Sequence, residues 1–226
     1  MKIKKRKVKL LIVLFGICVL GILASNPILA ATGNATVVYD STIKGGTDIP
    51  SKCQSHIKSM GYTFNQYDLP KHTSVVSYMK NAKVFVSGLH GAPGTINCGS
   101  NSIIVAKGSL NSAHALSLNT IANGSFSNMK IALIYGCKTG VPDATYGDII
   151  SMIQSKGATC AIGWRETTNT SRVSEWNRLF FEKAKKDTVV ESIRHADYWL
   201  LSLQGTEAHN NMGNRNEKGT ITHTIY

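Results

Sequence analysis

Two apolar runs, Val84-Phe85-Val86-Ser87-Gly88-Leu89-His90-Gly91 and Ile131-Ala132-Leu133-Ile134-Tyr135-Gly136-Cys137, have the composition of buried strands. At the end of each run a glycine stands next to a residue with a reactive side chain, which is His90 in the first run and Cys137 in the second. Active sites of open parallel sheets gather beyond the carboxyl ends of the strands. The two runs therefore predict an imidazole and a thiol at one sheet edge.

The remaining pattern alternates strands with helices, which predicts an α/β fold whose mostly parallel central sheet is flanked by helices on both faces. We expect a single domain over residues 35–226, including a hairpin formed by residues 95–98 and 102–105. Further strands are predicted at 36–39, 62–65, 158–163 and 220–222, and helices at 51–60, 75–81, 146–156, 173–184 and 188–201.

Residues 1–31 have the features of a secretory signal peptide. Six basic residues precede an apolar run of 14, Leu10 to Leu23, and that run is shorter than the ~20 residues of a comfortable membrane span. Ala24, Ala30 and Ala31 supply small residues for cleavage. The segment predicts a secreted or extracytoplasmic protein, with a retained anchor as the alternative.

The positive charge of the chain is concentrated in this leader. The formal net charge is +12, and the leader contributes six basic residues and no acidic one, which leaves about +6 for the rest. These charges are scattered and form no arginine-rich run or aromatic platform, so we expect no nucleic-acid partner. A mildly basic exported protein suits association with an anionic cell envelope.

Four cysteines follow the leader: Cys53, Cys98, Cys137 and Cys160. No Cys-x-x-Cys pair is present, so we expect neither a zinc site nor any other metal or cofactor. Cys53 and Cys98 are a candidate disulfide pair in an exported protein, and Cys160 lies in a run typical of a core strand. The chain also has neither a P-loop nor a Gly-x-Ser-x-Gly nucleophile elbow.

The chemistry that suits His90 and Cys137 is nucleophilic catalysis by a thiolate. A neighbouring imidazole takes the proton of the thiol or holds the thiolate as an ion pair. The backbone N–H groups of Gly91 and Cys137 are candidates for an oxyanion hole, and Gly136 gives the thiol a tight, accessible turn. The structural alternatives are a surface histidine and a buried packing cysteine.

The order of these motifs resembles that of the caspase-like (clan CD) cysteine peptidases, and is closest in pattern to a CHAT domain. The matching segments are Leu89-His90-Gly91, Tyr135-Gly136-Cys137-Lys138-Thr139-Gly140, the strand 157–164 and the helices that carry Phe180-Phe181 and residues 190–196. The resemblance covers roughly residues 35–204. Two departures are Gly136, where alanine is commoner, and Gly88-Leu89, which displace the usual serine before the His-Gly.

The resemblance implies a caspase-like three-layer sandwich in which His90 is the general base or acid and Cys137 the nucleophile. It also implies that a charged residue near the end of the first strand lines the pocket for the substrate side chain before the cut. Asp40 occupies that place and favours arginine or lysine. Glu166 is a competing acid for this pocket, and Trp164 is a candidate for its wall.

Three functions follow from these residues. The first is a secreted cysteine endopeptidase that acts on protein or peptide substrates through a His90–Cys137 dyad. The second is a catalytically inactive module of the same fold that binds or interacts at the cell envelope. The third is a thiol acyltransferase or hydrolase that acts on a non-peptide ester or amide.

Overall fold

The computed structural model describes residues 32–108 and 113–226, so the predicted signal peptide lies outside the described residues. In chain order the elements are β1 (Asn34–Tyr39), α1 (Asp48–Ser59), β2 (Thr63–Asp68), α2 (His72–Asn81), β3 (Ala82–Gly88), β4 (Gly91–Ala92), β5 (Thr95–Cys98), β6 (Ser102–Val105), β7 (Ala115–Ser117), a 3₁₀ turn (Leu118–Thr120), β8 (Ile131–Ile134), α3 (Ile149–Ser155), β9 (Cys160–Trp164), α4 (Thr170–Ala184), α5 (Val189–Gly213) and β10 (Arg215–Gly219). No helix in the described ranges is long and apolar enough to cross a membrane.

Six strands form the central sheet in the order β10-β9-β8-β3-β1-β2. The pairings are parallel except that of β10, which runs antiparallel to β9. The central strands β3 and β8 are buried almost throughout, as the two apolar runs predict. Both faces of the sheet are covered, which is the usual condition of a parallel sheet.

Two apolar cores fill the space on the two faces of the sheet. Because side chains alternate along a strand, Val84 and Val86 of β3 face one core and Phe85 faces the other. Helices α1, α4 and α5 cover the first face, and α2 and α3 cover the second. The predicted α/β class with helices on both faces is confirmed.

A second, four-stranded sheet, in the order β4-β5-β6-β7, follows His90. The predicted hairpin is present as β5 and β6, which pair antiparallel. Ser100 and Asn101 lie in the three-residue connection between the strands, with φ angles of 60° and 52°, a left-handed conformation found in turns. Strand β7 pairs parallel with β6, and sequence patterning did not predict it.

Three sequence predictions about local structure are wrong. The last strand is β10, not residues 220–222, and β10 is a polar edge strand without an apolar alternation. Helix α1 begins at Asp48, three residues before the predicted Ser51. Cys53 and Cys98 are both free, and they lie in the cores on opposite faces of the sheet, so they do not form the candidate disulfide.

Strand β10 is held by a nearly buried ion pair, which generates a prediction about stability. The Arg215 guanidinium, 9% exposed, contacts Asp197 at 2.7 Å and Glu217 at 2.7 Å. Replacing Arg215 with alanine leaves Asp197 uncompensated, so we expect the free energy of unfolding to fall by about 3 kcal/mol. Urea denaturation followed by circular dichroism measures it.

The matched control is Arg194→Ala. Arg194 also pairs with a glutamate, Glu191, at 2.6 Å, but its side chain is 70% exposed. Exposed ion pairs contribute about 0–1 kcal/mol, so this variant should unfold close to the parent. Equal losses in the two variants would contradict the assigned role of Arg215.

Candidate active site

The candidate site lies at the carboxyl ends of β3 and β8, which are neighbours in the central sheet. The strands run parallel with Ser87 opposite Ile134, and the Tyr135 N–H donates to the Ser87 carbonyl at 2.8 Å one residue further on. His90 follows the end of β3 by two residues, and Cys137 follows the end of β8 by three. The sheet therefore delivers both residues to one edge, as the sequence predicts.

A direct contact between Gly91 and Gly136 joins the loops that carry them. A Cβ atom on Gly136 would lie 2.9 Å from the Gly91 Cα, and one on Gly91 would lie 2.9 Å from the Gly136 Cα. Real Cβ contacts are essentially never shorter than 3.0 Å. Because His90 precedes one glycine and Cys137 follows the other, this backbone contact sets the separation of the imidazole and the thiol.

The turn after Cys137 is fixed by a buried threonine, to which the sequence analysis assigned no role. The Thr139 hydroxyl lies 2.7 Å from the Ile134 carbonyl oxygen and 2.9 Å from that of Gly136. Lys138 adopts a φ of 55°, a left-handed conformation that costs energy in a residue with a side chain. The strained turn holds Cys137 outward, where its side chain is partly exposed.

His90 faces a carboxylate from the end of β1. Its imidazole is 60% exposed, and its Nε2 lies 3.9 Å from Oδ2 of Asp40, whose side chain is 6% exposed. The other oxygen of Asp40 accepts hydrogen bonds from the N–H and the hydroxyl of Thr42, at 2.8 Å and 2.6 Å. The oxygen nearest His90 thus faces the imidazole, just beyond hydrogen-bond distance.

The loop that presents Asp40 needs a glycine at Gly46. A Cβ there would lie 1.9 Å from the Asp40 carbonyl oxygen, so no other residue fits without moving the loop. The Gly46 N–H donates to the Ile43 carbonyl at 2.8 Å, and the Ile43 N–H donates to that of Asp40 at 3.3 Å. Asp40 is held by its own loop and does not depend on a ligand for its position.

Trp164 and Glu166 make their contacts within the protein. Trp164 is fully buried, stacks on Tyr135 and donates from its indole N–H to the Met212 carbonyl at 2.9 Å. The ring belongs to the core, and its role as the wall of a substrate pocket stays a prediction. The Glu166 carboxylate accepts from Asn214 at 3.0 Å, and its carbonyl accepts from the Lys138 N–H at 3.1 Å. Its backbone therefore supports the turn after Cys137.

The other described cysteines are buried and unreactive. Burial is the largest influence on Cys53, Cys98 and Cys160, and it raises the pKa of each thiol to about 12. Since the thiolate is the nucleophilic form, these three thiols are poor nucleophiles near neutral pH. Among the described cysteines, Cys137 is the one that is not buried.

Two pockets adjoin His90. One, of about 80 Å³, is lined by His90 and Cys137 together. The other, of about 430 Å³, is lined by His90 and Asp40 and by the hairpin of β5 and β6. Within residues 32–108 and 113–226, no group of three His, Cys, Asp or Glu side chains is placed to hold a metal ion.

Comparison with known proteins rests on the fold, because the sequence matches no protein-family profile and no curated protein. The complex of the pro- and mature domains of Porphyromonas gingivalis RgpB superposes with a TM-score of 0.60 and 8% identity over 87% of this chain. The Arg-specific cysteine proteinase gingipain R gives 0.57 and 11% over 88%. The fold is caspase-like.

The caspase-like neighbours are larger proteins. This chain spans 49% and 48% of the two gingipain chains. The separase–securin complex of Saccharomyces cerevisiae matches with a TM-score of 0.48 and 10% identity over 84% of this chain, which is 12% of that chain. We draw the fold from the gingipain superpositions alone, and the closer resemblance to a CHAT domain stays a prediction.

The contact between Gly91 and Gly136 predicts that alanine at position 136 destabilises the protein. Its Cβ would also lie 2.8 Å from the Thr139 methyl group, so the backbone of one loop must move. We expect the free energy of unfolding to fall by about 1–3 kcal/mol, as in other overpacked sites. Chemical denaturation of Gly136→Ala against the parent measures it.

Gly213→Ala is the matched control for this substitution. Gly213 ends α5, and nothing lies within 4 Å of the Cβ it would gain. An alanine there reduces the freedom of the unfolded chain, so the free energy of unfolding should stay level or rise by up to about 1 kcal/mol. If Gly136→Ala has the same free energy of unfolding as the parent, the contact between Gly91 and Gly136 does not constrain the site.

Proposed function

We propose that the chain is a cysteine endopeptidase in which Cys137 is the nucleophile and His90 the general base and acid. The observation that carries this proposal is the single pocket lined by both side chains, with their loops joined at Gly91 and Gly136. The caspase-like fold supports it, since the solved structures that share the fold are cysteine peptidases.

The reaction would proceed through an acyl-enzyme. His90 takes the proton of the Cys137 thiol, and the sulfur forms a bond to the carbonyl carbon of the scissile peptide. The tetrahedral oxyanion is placed to accept hydrogen bonds from the backbone N–H groups of Gly91 and Cys137. The C–N bond then breaks, and His90 gives its proton to the leaving amine, which leaves a thioester.

Water completes the cycle. His90 removes a proton from a water molecule that attacks the thioester carbon, the C–S bond breaks, and the peptide carboxylate leaves as the thiol is restored. Each group needed is on the chain, so this mechanism requires no cofactor. Asp40 acts beside the dyad as a positioning residue, because its free oxygen faces His90 at 3.9 Å.

The proposed substrates are extracytoplasmic proteins or peptides. Residues 1–31 carry the basic and apolar pattern of an export signal, and the remaining chain is mildly basic. These features support secretion and association with an anionic envelope.

The dyad is tested by removing each of its members from the full chain. We expect Cys137→Ala and His90→Ala to abolish hydrolysis of a mixed peptide library, because neither the thioester nor the proton transfer can form. Mass spectrometry of the digest measures it. Cys160→Ala is the matched control, since that sulfur is buried in β9 and should leave hydrolysis unchanged.

A chloromethyl ketone separates an active peptidase from an inactive binding module. It should alkylate Cys137 in the folded parent protein and leave Cys53, Cys98 and Cys160 unmodified until denaturant is added. Folded protein that neither reacts at Cys137 nor cleaves any peptide would exclude the peptidase and favour the binding module. Cleavage of esters alone would favour the thiol acyltransferase or hydrolase.

The role of Asp40 predicts a particular kinetic effect. If its carboxylate orients His90, Asp40→Asn should lower kcat by about tenfold or more for every substrate while KM stays level. If Asp40 instead reads a basic side chain, KM should rise for arginine and lysine substrates alone. Steady-state kinetics on peptides with basic and apolar residues before the cut distinguish the two.

Asp68→Asn is the control for damage to the loop. Asp68 ends β2 and accepts hydrogen bonds from the N–H and the hydroxyl of Ser41, so it holds the loop that follows Asp40 without forming an ion pair with His90. Its replacement should leave kcat within a factor of about three. An equal fall of kcat in both variants would assign the effect to the loop and not to the carboxylate.

A further inference from the structure

The pocket beside Cys137 is small. Its volume is about 80 Å³, against about 430 Å³ for the pocket beside Asp40. Cys137 and His90 lie on its wall. A side chain that enters it therefore belongs to the substrate residue whose carbonyl Cys137 attacks, the P1 residue in the usual nomenclature.

Part of the pocket lining is formed by side chains that also belong to the apolar core. Ile49 of α1, Tyr135 after β8 and Val173 of α4 line it, and all three are members of the core on that face of the sheet. The Tyr135 hydroxyl hydrogen bonds to Asn177 at 3.1 Å inside the protein, and burial raises the pKa of this phenol well above its ordinary value. The hydroxyl is thus not a polar group of the pocket.

A second part of the pocket lining adds few polar groups. It is formed by Ile43, Thr168 and Thr170, and the Thr168 hydroxyl already donates to the Tyr135 carbonyl at 2.6 Å. None of the described residues that line the pocket carries a carboxylate, a guanidinium or an ammonium group. A charged substrate side chain would lose its hydration here without gaining a partner, which is strongly unfavourable.

Two acids, Asp40 and Asp48, lie near this pocket without lining it. The Asp40 carboxylate is held by Thr42 and faces His90, and it lines the other, larger pocket. Asp48 opens α1 close to Gly45, where a Cβ would lie 3.5 Å from its Oδ2 and 3.8 Å from the Thr170 Cβ. Asp48 is therefore near the outer edge of the pocket but does not line it.

We infer that the pocket beside Cys137 selects an uncharged, apolar side chain such as leucine or valine at the P1 position of the substrate. This inference rests on the proposed peptidase function and names its substrate class. It departs from the arginine or lysine preference that Asp40 predicts from the sequence. Burial of the aliphatic side chain against Ile49 and Val173 supplies the affinity.

Peptidyl chloromethyl ketones that differ only at P1 test the inference on the full chain. The rate of Cys137 alkylation, followed by mass spectrometry, should be at least tenfold higher with leucine or valine at P1 than with lysine, arginine or aspartate. Faster alkylation by the lysine or arginine reagents would overturn the inference and restore the predicted role of Asp40.

Two substitutions place an acid in the wall and should shift the preference toward the lysine reagent. Ile43→Asp and Thr170→Asp each put a carboxylate beside the pocket, and both positions are only partly buried. Thr170 opens α4, where negative charge is favourable, so this variant should fold even if the other does not. Each should raise the ratio of the lysine to the leucine rate at least tenfold.

Leu203→Asp is the control for added charge, because Leu203 is exposed on α5 and does not line the pocket. It should leave the order of the reagents unchanged. Equal rates with all P1 residues, with Cys137 modified, would refute the inference while the peptidase stands. No modification of folded protein by any reagent, and no peptide cleavage, would refute both.

Discussion

The contact between the backbones of Gly91 and Gly136 is the constraint on which the candidate site depends. Parallel pairing of β3 and β8 brings two loops to one sheet edge, but strands about 5 Å apart leave their loops free to diverge. Two facing glycines remove that freedom, because the chains approach more closely than any Cβ allows. The imidazole and the thiol are placed by residues that carry no side chain of their own.

The rest of the site reinforces this contact from both sides. Thr139 ties the turn after Cys137 back to the end of β8, and Gly140 donates to the Trp164 carbonyl at 2.8 Å, which joins the same turn to β9. On the other side Asn97 of β5 donates to the His90 carbonyl at 2.9 Å. The small second sheet, whose Ile96, Cys98 and Ile104 belong to the core on one face of the central sheet, thereby anchors the histidine loop.

Sequence patterning predicted the parts of the fold that depend on local composition. Continuous apolar runs are sufficient to identify β3 and β8, and the ends of those runs placed His90 and Cys137 correctly. Strand β10 was missed because an edge strand needs no apolar alternation, and its position follows from pairing with β9 and from the ion pair of Arg215. The full burial of Trp164 was not predicted, because an aromatic residue at a strand end fits a core and a pocket wall equally well.

The orientation of Asp40 lies beyond sequence patterning for a different reason. An acid after the first strand is visible in the sequence, but which group it faces depends on how the loop closes over Gly46. That closure directs one oxygen to Thr42 and the other to His90. The lining of the pocket beside Cys137 likewise comes from four separate segments of the chain, and no one of them determines its character alone.

The burial of the cysteines determines which of them an oxidant can reach. Three of the described cysteines are buried in the cores and form no disulfide. This part of the chain is therefore neither stabilised by disulfides nor subject to disulfide exchange among them. Oxidation is directed to Cys137, whose sulfenic acid or mixed disulfide would halt thiol chemistry and leave the architecture intact. Among the described cysteines, Cys137 is therefore the one whose oxidation would be reversed by a small thiol that reaches the pocket.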